Sequence, residues 1–155
     1  MPPPDTEPLG LLLARTARSV SRAFDEALAA AGGSRPMWLI LLALKQRRWE
    51  TQAELARAVG VKGPTLTHHL DKMVQRGLVT RQRDPDNRRV QIIEMTPPGD
   101  DVFHRLRAAA VRHDRRLHEG FDDNEIRQLR SLLARLSVAV DADAHAGAAD
   151  DPVVT

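Results

Sequence analysis

The chain has 155 residues, of which 42% are apolar and 28% are charged, and it contains no cysteine. This length suits one domain with a modest core, and the lack of cysteine excludes disulfides, thiol redox sensing and Cys-bound zinc. No apolar run approaches the ~20 residues of a membrane-spanning helix, and the start MPPPDTEP lacks the regions of a signal peptide, so we expect a cytoplasmic protein.

The net charge of +2 is distributed unevenly along the chain. Residues 45–89 contain eleven Lys or Arg and five acidic residues, so this segment carries +6, whereas the remainder carries −4. A basic middle between acidic ends indicates a localised surface for a polyanion such as nucleic acid. An ordinary solvated face has the same charges, so charge alone leaves the partner open.

The first third of the chain predicts an arm and two helices. Residues 1–7 contain three prolines and no periodicity, which predicts a disordered arm. Apolar residues then recur at helical spacing over residues 8–31, and a pair of glycines ends this helix. Ser34 and Pro36 stand where a second helix begins.

Two short helices separated by a tight turn are predicted within the basic segment. Thr51 and Glu54 form a capping box, in which the Thr hydroxyl accepts from the N–H of Glu54. The helix that they open ends before Gly60, which suits a left-handed residue. Pro64 stands in the first turn of the second helix, residues 63–76, where its missing N–H costs little.

A β-hairpin and two further helices complete the predicted order. The turn sequence Asp-Pro-Asp-Asn at residues 84–87 separates two β-like runs. Thr96 caps the next helix, in which His113 lies on the apolar stripe and is predicted to pack. Asp122 opens a last helix with the apolar spacing of a coiled-coil seam, and residues 141–155 predict a flexible tail.

Helix, turn, helix and basic hairpin follow each other in the order of a winged helix-turn-helix protein, whose second helix enters the major groove of DNA. On a helical wheel the core side of that helix collects Leu66, Leu70, Met73 and Val74. Polar side chains on the far side can bond base edges or phosphates, and wing arginines can enter the minor groove. The predicted DNA-binding residues are Gln52, Pro64, Thr65, Thr67, His68, Lys72, Arg81, Arg88 and Arg89.

Over about residues 9–140 the sequence resembles the multiple-antibiotic-resistance regulator (MarR) family. The similarity is carried by TQAELARAVGVKGPTLTHHLDKMVQRGLV and RDPDNRRVQIIEMTPPG. The second stretch is the more specific, because wings of this family commonly contain Asp-Pro, an acidic pair, Arg-Arg, a strand and Leu-Thr. Asn87 departs from the usual Asp, and Met95 replaces the usual Leu.

The resemblance implies a mainly α fold with a small β wing, in a single domain over residues 8–140. It implies a homodimer held by helices within residues 8–31 and 98–140, with the winged helix-turn-helix at residues 36–96. It also implies binding of double-stranded DNA at a palindromic operator, repression as the default, and a small-molecule pocket between the dimerisation and DNA-binding parts.

The effector implied by the resemblance is a small aromatic or apolar molecule, and Trp38 is the candidate residue to contact it. A tryptophan in such a position is more often simply a core residue. The six histidines have no metal-ligand spacing, and no GxSxG, GxGxxG or P-loop is present, so we expect no metal, cofactor or enzymatic activity.

Two other functions fit the same pattern. An architectural DNA-binding protein without an effector would share the basic segment but have little sequence preference, which a specificity ratio at fixed salt would reveal. A winged-helix module for protein interaction would use its wing to contact a partner chain, and the wing arginines argue against it. The sequence names neither the operator nor the effector.

Overall fold

The computed structural model describes residues 7–87 and 90–147, and it describes side chains as far as Asp141. The predicted arm lies almost wholly outside the described residues, as do Arg88, Arg89 and residues 148–155. Within the described ranges the elements are α1 (Leu9–Ala30), α2 (Arg35–Gln46), α3 (Gln52–Val59), α4 (Gly63–Gln75), β1 (Val79–Arg83), β2 (Gln91–Met95), α5 (Pro97–His118) and α6 (Asp123–Gly147). The predicted mainly α fold with a small β wing is confirmed.

Local side-chain chemistry sets where the helices begin. The hydroxyl of Ser34 accepts from the N–H of Met37 at 3.4 Å, and that of Thr51 accepts from the N–H of Glu54 at 3.1 Å. Each bond satisfies a backbone donor that a helix start leaves unpaired. These two helix starts therefore lie where the sequence predicts them.

The two strands form an antiparallel hairpin. Val79 pairs with Met95 and Arg83 pairs with Gln91 at its two ends. Beyond the strands, one carboxylate oxygen of Asp84 accepts from the N–H groups of Asp86 and Asn87 at 2.8 and 3.3 Å. This Asx-type turn reverses the chain as the sequence predicts.

One apolar core joins α2, α3 and α4 to the hairpin and to α5. Ile40, Leu55, Leu66, Leu70 and Leu106 are all fully buried, and they come from four different helices. Fully burying such a side chain is worth about 1.5–3 kcal/mol. This core holds α4 and the hairpin in one body.

The described residues divide into two compact units, one ending at Asp114 and the other beginning at Arg115. In the second unit, Asp122 and Glu125 cap each other reciprocally at 2.8 and 2.9 Å, and α6 follows. Helix α6 continues to Gly147, past Val140, because the alanine-rich sequence there has high helix propensity. No single helix among the described residues is long and apolar enough to cross a membrane.

The first turn of α5 is tied to the end of α4. The Thr96 hydroxyl donates to the carbonyl of Gly77 at 2.6 Å and accepts from the N–H of Gly99 at 3.1 Å. The N–H of Thr96 also donates to the carbonyl of Leu78 at 3.1 Å. A Cβ atom at Gly99 would lie 1.9 Å from that same carbonyl oxygen, so only glycine fits there without a shift.

A second contact holds the same end of α5 to α2. The ammonium of Lys45 pairs with the carboxylate of Asp100, and it also lies 5.3 Å from the centre of the Phe103 ring. The hydrogen bond from Lys45 holds the pKa of Asp100 below its usual value. The contact with Lys45 therefore favours the ionised form of the Asp100 carboxylate.

We predict that Gly99→Ala destabilises the protein by about 1–3 kcal/mol, the usual cost of forcing an extra carbon into a packed site. The measurement is the free energy of unfolding from urea titrations. Gly10→Ala is the matched control, because a Cβ there meets nothing within 4 Å, and it should be neutral or slightly stabilising. Equal free energies for both variants would contradict this close approach.

Candidate nucleic-acid interface

Helices α3 and α4 are joined by a tight turn that begins with Gly60. This glycine has φ +79° and ψ +31°, the left-handed conformation predicted from the sequence. Its N–H and that of Val61 both donate to the carbonyl of Ala56, at 2.9 and 3.0 Å. The turn and the shared core therefore fix how α4 leaves α3.

Helix α4 presents its polar side to solvent. Leu66, Leu70 and Met73 are at most 1% exposed. Val74 differs from the prediction: it is 39% exposed, because it lies at the edge of the apolar stripe rather than at its centre. The residues that face solvent include four predicted to bind DNA, namely Pro64, Thr65, His68 and Lys72.

Three other predicted DNA-binding residues are brought together by hydrogen bonds within the protein. The Arg81 guanidinium donates to Gln52 at 2.8 Å, and the Gln52 amide donates to the Thr67 hydroxyl at 2.6 Å. Arg81 also donates to Asp71 at 2.7 Å and to Gln91 at 2.9 Å. Sequence reasoning missed Asp71 and Gln91, because their role depends on which elements meet in space.

Arg81, Gln52, Thr67, Asp71 and Gln91 are called the Arg81 network below. Its members come from α3, α4, β1 and β2. The wing arginines Arg88 and Arg89 lie outside the described residues, so their predicted entry into a minor groove stays a prediction. Arg83 lies two residues beyond Arg81 on β1 and is exposed.

His69 of α4 is half-buried, unlike the neighbouring His68, which is exposed. Burial lowers its pKa below the ordinary value, and the nearby charges of His68 and Lys72 lower it further. It lines a cavity of about 390 Å³ together with residues of the α1–α2 turn and the end of α4. Arg76 closes one side of this cavity by donating to the carbonyl of Gly32 at 3.2 Å.

A second cavity, of about 250 Å³, lies between α1, the start of α2 and α5. Its polar and aromatic lining is given by Ser21, Phe24, Arg35, His113 and Asp114. The ring of His113 is 5.1 Å from that of Phe24, and the Arg35 guanidinium is 5.7 Å from the same ring. An aromatic surface beside a cation suits a small aromatic acid.

Trp38 is 9% exposed and stacks on Phe103, with ring centres 5.5 Å apart and planes 14° apart. It does not line the second cavity, whose residues the sequence analysis did not assign to a ligand. The signal for Phe24 and Arg35 is weak in the sequence, because an aromatic and an arginine in amphipathic helices are ordinary. Among the described residues, no cluster of three His, Asp or Glu side chains could hold a metal ion.

The buried side of α4, its solvent-facing polar side and the adjoining hairpin define a winged helix-turn-helix protein of the DNA-binding class. The sequence profile of the MarR family matches residues 34–90. The solved transcriptional regulator PA3341 is 34% identical, with a TM-score of 0.68, over 87% of this chain and 99% of that one.

Two further solved structures carry ligands. The transcriptional repressor CouR, of Rhodococcus jostii RHA1, bound to a 23-mer DNA duplex is 30% identical, with a TM-score of 0.73, over 84% of this chain and 92% of that one. The MarR family protein Rv2887 of Mycobacterium tuberculosis, in complex with salicylic acid, is 26% identical, with a TM-score of 0.64, over 85% and 98%. This chain belongs to the MarR family of transcription regulators.

Proposed function

We propose that this protein is a sequence-specific, ligand-responsive repressor that binds a palindromic operator as a homodimer. The observation that carries the proposal is the solvent-facing polar side of α4 beside a basic hairpin, both fixed by one buried core. The similarity to CouR, which is bound to DNA in its solved structure, supports the DNA-binding part.

The residues of α4 divide into two roles in this proposal. Thr65 and His68 lie in the first half of the helix, where short polar side chains reach base edges in the major groove. Lys72 lies a turn further on and contacts phosphate, which carries no sequence information. From the sequence, Arg88 and Arg89 read the minor groove.

We expect His68→Ala to cost about 1–3 kcal/mol on the preferred operator and much less on scrambled DNA, because only the operator offers its base contact. Lys72→Ala should weaken both DNAs alike and reduce the salt slope by about one unit per subunit. Binding titrations of both variants across a salt series measure this. Equal losses by His68→Ala on both duplexes would rule out its role as a base reader.

The proposed homodimer is supported by apolar surface that one chain leaves exposed. None of the described side chains of α6 is buried, although Leu129, Leu132 and Leu133 recur along it. At the other end of the chain, Leu9 and Leu11 of α1 are 60% and 61% exposed. Apolar stripes of this length are typical of surfaces that a partner covers, and two copies related by a two-fold axis explain a palindromic site.

We expect sedimentation of the wild type at about twice the chain mass of 17.2 kDa. Leu129→Glu with Leu133→Glu should give monomers or unfolded chains, because it places two charges in the seam of α6. The matched control is Asn124→Glu with Ser131→Glu, which adds the same charges on the opposite side of the helix. A wild-type monomer that bound DNA tightly would disprove the dimer.

The cavity lined by Phe24, Arg35 and His113 is proposed to hold the effector. Its volume of about 250 Å³ suits one aromatic ring rather than a drug-sized molecule. Arg35 already donates to Asp25 and to the carbonyl of Ser21, both at 2.9 Å, so its side chain is held in place. Its remaining N–H groups can bind a ligand carboxylate while the ring packs on Phe24.

Salicylate is the probe for this site, since the solved Rv2887 complex contains salicylic acid. We expect Arg35→Met to raise its Kd about 10- to 100-fold, the loss of one charge-assisted hydrogen bond, as measured by calorimetry. Arg57→Met, an exposed arginine on α3, is the control, and Trp38→Phe should also bind normally because it keeps the core stack. Unchanged binding by Arg35→Met would exclude this cavity.

A further inference from the structure

We propose that Arg81 is a positioning residue, which fixes the wing and α3 against the recognition helix α4 and thereby sets sequence discrimination without contacting DNA. This assignment replaces the direct DNA-binding role predicted for Arg81, Gln52 and Thr67, and it rests on the proposed function for its effect on operator choice. The evidence is the geometry and the direction of the hydrogen bonds in the Arg81 network.

The Arg81 guanidinium bonds to three elements at once. Its Nε donates to Gln91 on β2 at 2.9 Å, one Nη donates to Asp71 on α4 at 2.7 Å, and the other donates to Gln52 on α3 at 2.8 Å. Its side chain is only 23% exposed. A planar group with three bonds in three directions defines an orientation, whereas a lysine ammonium in the same place would not.

The bonds also have a fixed direction, because an arginine can only donate. Arg81 therefore requires the oxygen of the Gln52 amide, which turns the amide nitrogen toward the Thr67 hydroxyl at 2.6 Å. The Thr67 hydroxyl in turn donates to the carbonyl of Gly63 at 3.1 Å. The one hydroxyl hydrogen of Thr67 is thus used within the protein, which leaves base reading to Thr65 and His68.

Asp71 places a negative charge on the helix that is proposed to face DNA. Its carboxylate is on the solvent-facing side of α4, with 54% of the side chain exposed, where a negative charge repels phosphate. Exposed ion pairs contribute little to stability, so stability alone is a weak reason for a carboxylate there. As an anchor for Arg81 it has a geometric role, and removing it should impair operator recognition even though the surface becomes more positive.

Arg83 on the same strand provides a matched control for Arg81. Arg83 follows Arg81 by two residues, so both side chains lie on one face of β1, and Arg83 is exposed. If basic side chains on this face served only as phosphate contacts, Arg81→Met and Arg83→Met would have the same effect. The network predicts that they differ.

The experiment uses the full-length protein, a duplex selected from random-sequence DNA by the wild type, and a scrambled duplex of the same composition. Kd is measured across a salt series for Arg81→Met, Asp71→Ala, the double variant and Arg83→Met. We expect Arg81→Met and Asp71→Ala each to lose about tenfold on the selected duplex only, with the salt slope unchanged. The double variant should lose no more than Arg81→Met alone, because both act through one contact.

Two results would overturn the proposal. One is that Arg81→Met loses affinity equally for both duplexes and has a lower salt slope, as Arg83→Met does. That is the behaviour of a residue that only contacts phosphate. The other is tighter binding of both duplexes by Asp71→Ala, the behaviour of a plain change in charge. Thermal unfolding of each variant identifies any loss that comes from unfolded protein.

Hydrogen exchange of the DNA-free protein separates this inference from the proposed function. Arg81→Met should speed exchange of backbone amides in β1 and the first turns of α4, and Arg83→Met should not. If the wild type fails to discriminate between the duplexes while exchange still rises, the proposed function fails and the positioning role stands. If exchange in Arg81→Met is unchanged, the positioning role is rejected, even if the wild type discriminates between the two duplexes.

Discussion

The burial of Leu66 and Leu70 is the interaction on which the rest of the structure depends. Both side chains are fully buried, and they hold α4 against the core that α2, α3 and the hairpin share. The helical period fixes the angle between side chains, so the orientation that buries these two leucines also directs Thr65 and His68 toward solvent. Hydrophobic burial thus supplies the energy that holds the helix, and the Arg81 network supplies the orientation.

Features set by neighbours in the sequence were predicted correctly. The Thr51 cap, the left-handed Gly60 and the turn beginning at Asp84 each involve residues within a few positions, so propensity and spacing suffice to find them. The order of elements follows from these boundaries, and the order in turn indicates the winged helix-turn-helix. For this reason most of the fold could be predicted from the sequence.

Features set by contacts across elements could not be predicted in the same way. The position of Arg81 on a basic hairpin predicts a DNA contact, but the sequence does not indicate the three partners that its guanidinium bonds, which lie 10 to 29 residues away. For Trp38 the sequence left two interpretations, a ligand contact implied by the family resemblance and an ordinary core residue, and the stack on Phe103 places it in the core. Periodicity assigns a residue to a face, but it does not say what that face meets.

The close approach of Gly99 to the Leu78 carbonyl has a mechanical consequence. Gly99 and His113 belong to the same continuous helix, and at 1.5 Å per residue they are about 21 Å apart along its axis. If α5 rotates as a rigid body about its His113 end, a tilt of about 3° displaces the Gly99 end by about 1 Å. Because Gly99 has no side chain, that displacement would act directly on the backbone of Leu78, in the segment between α4 and β1.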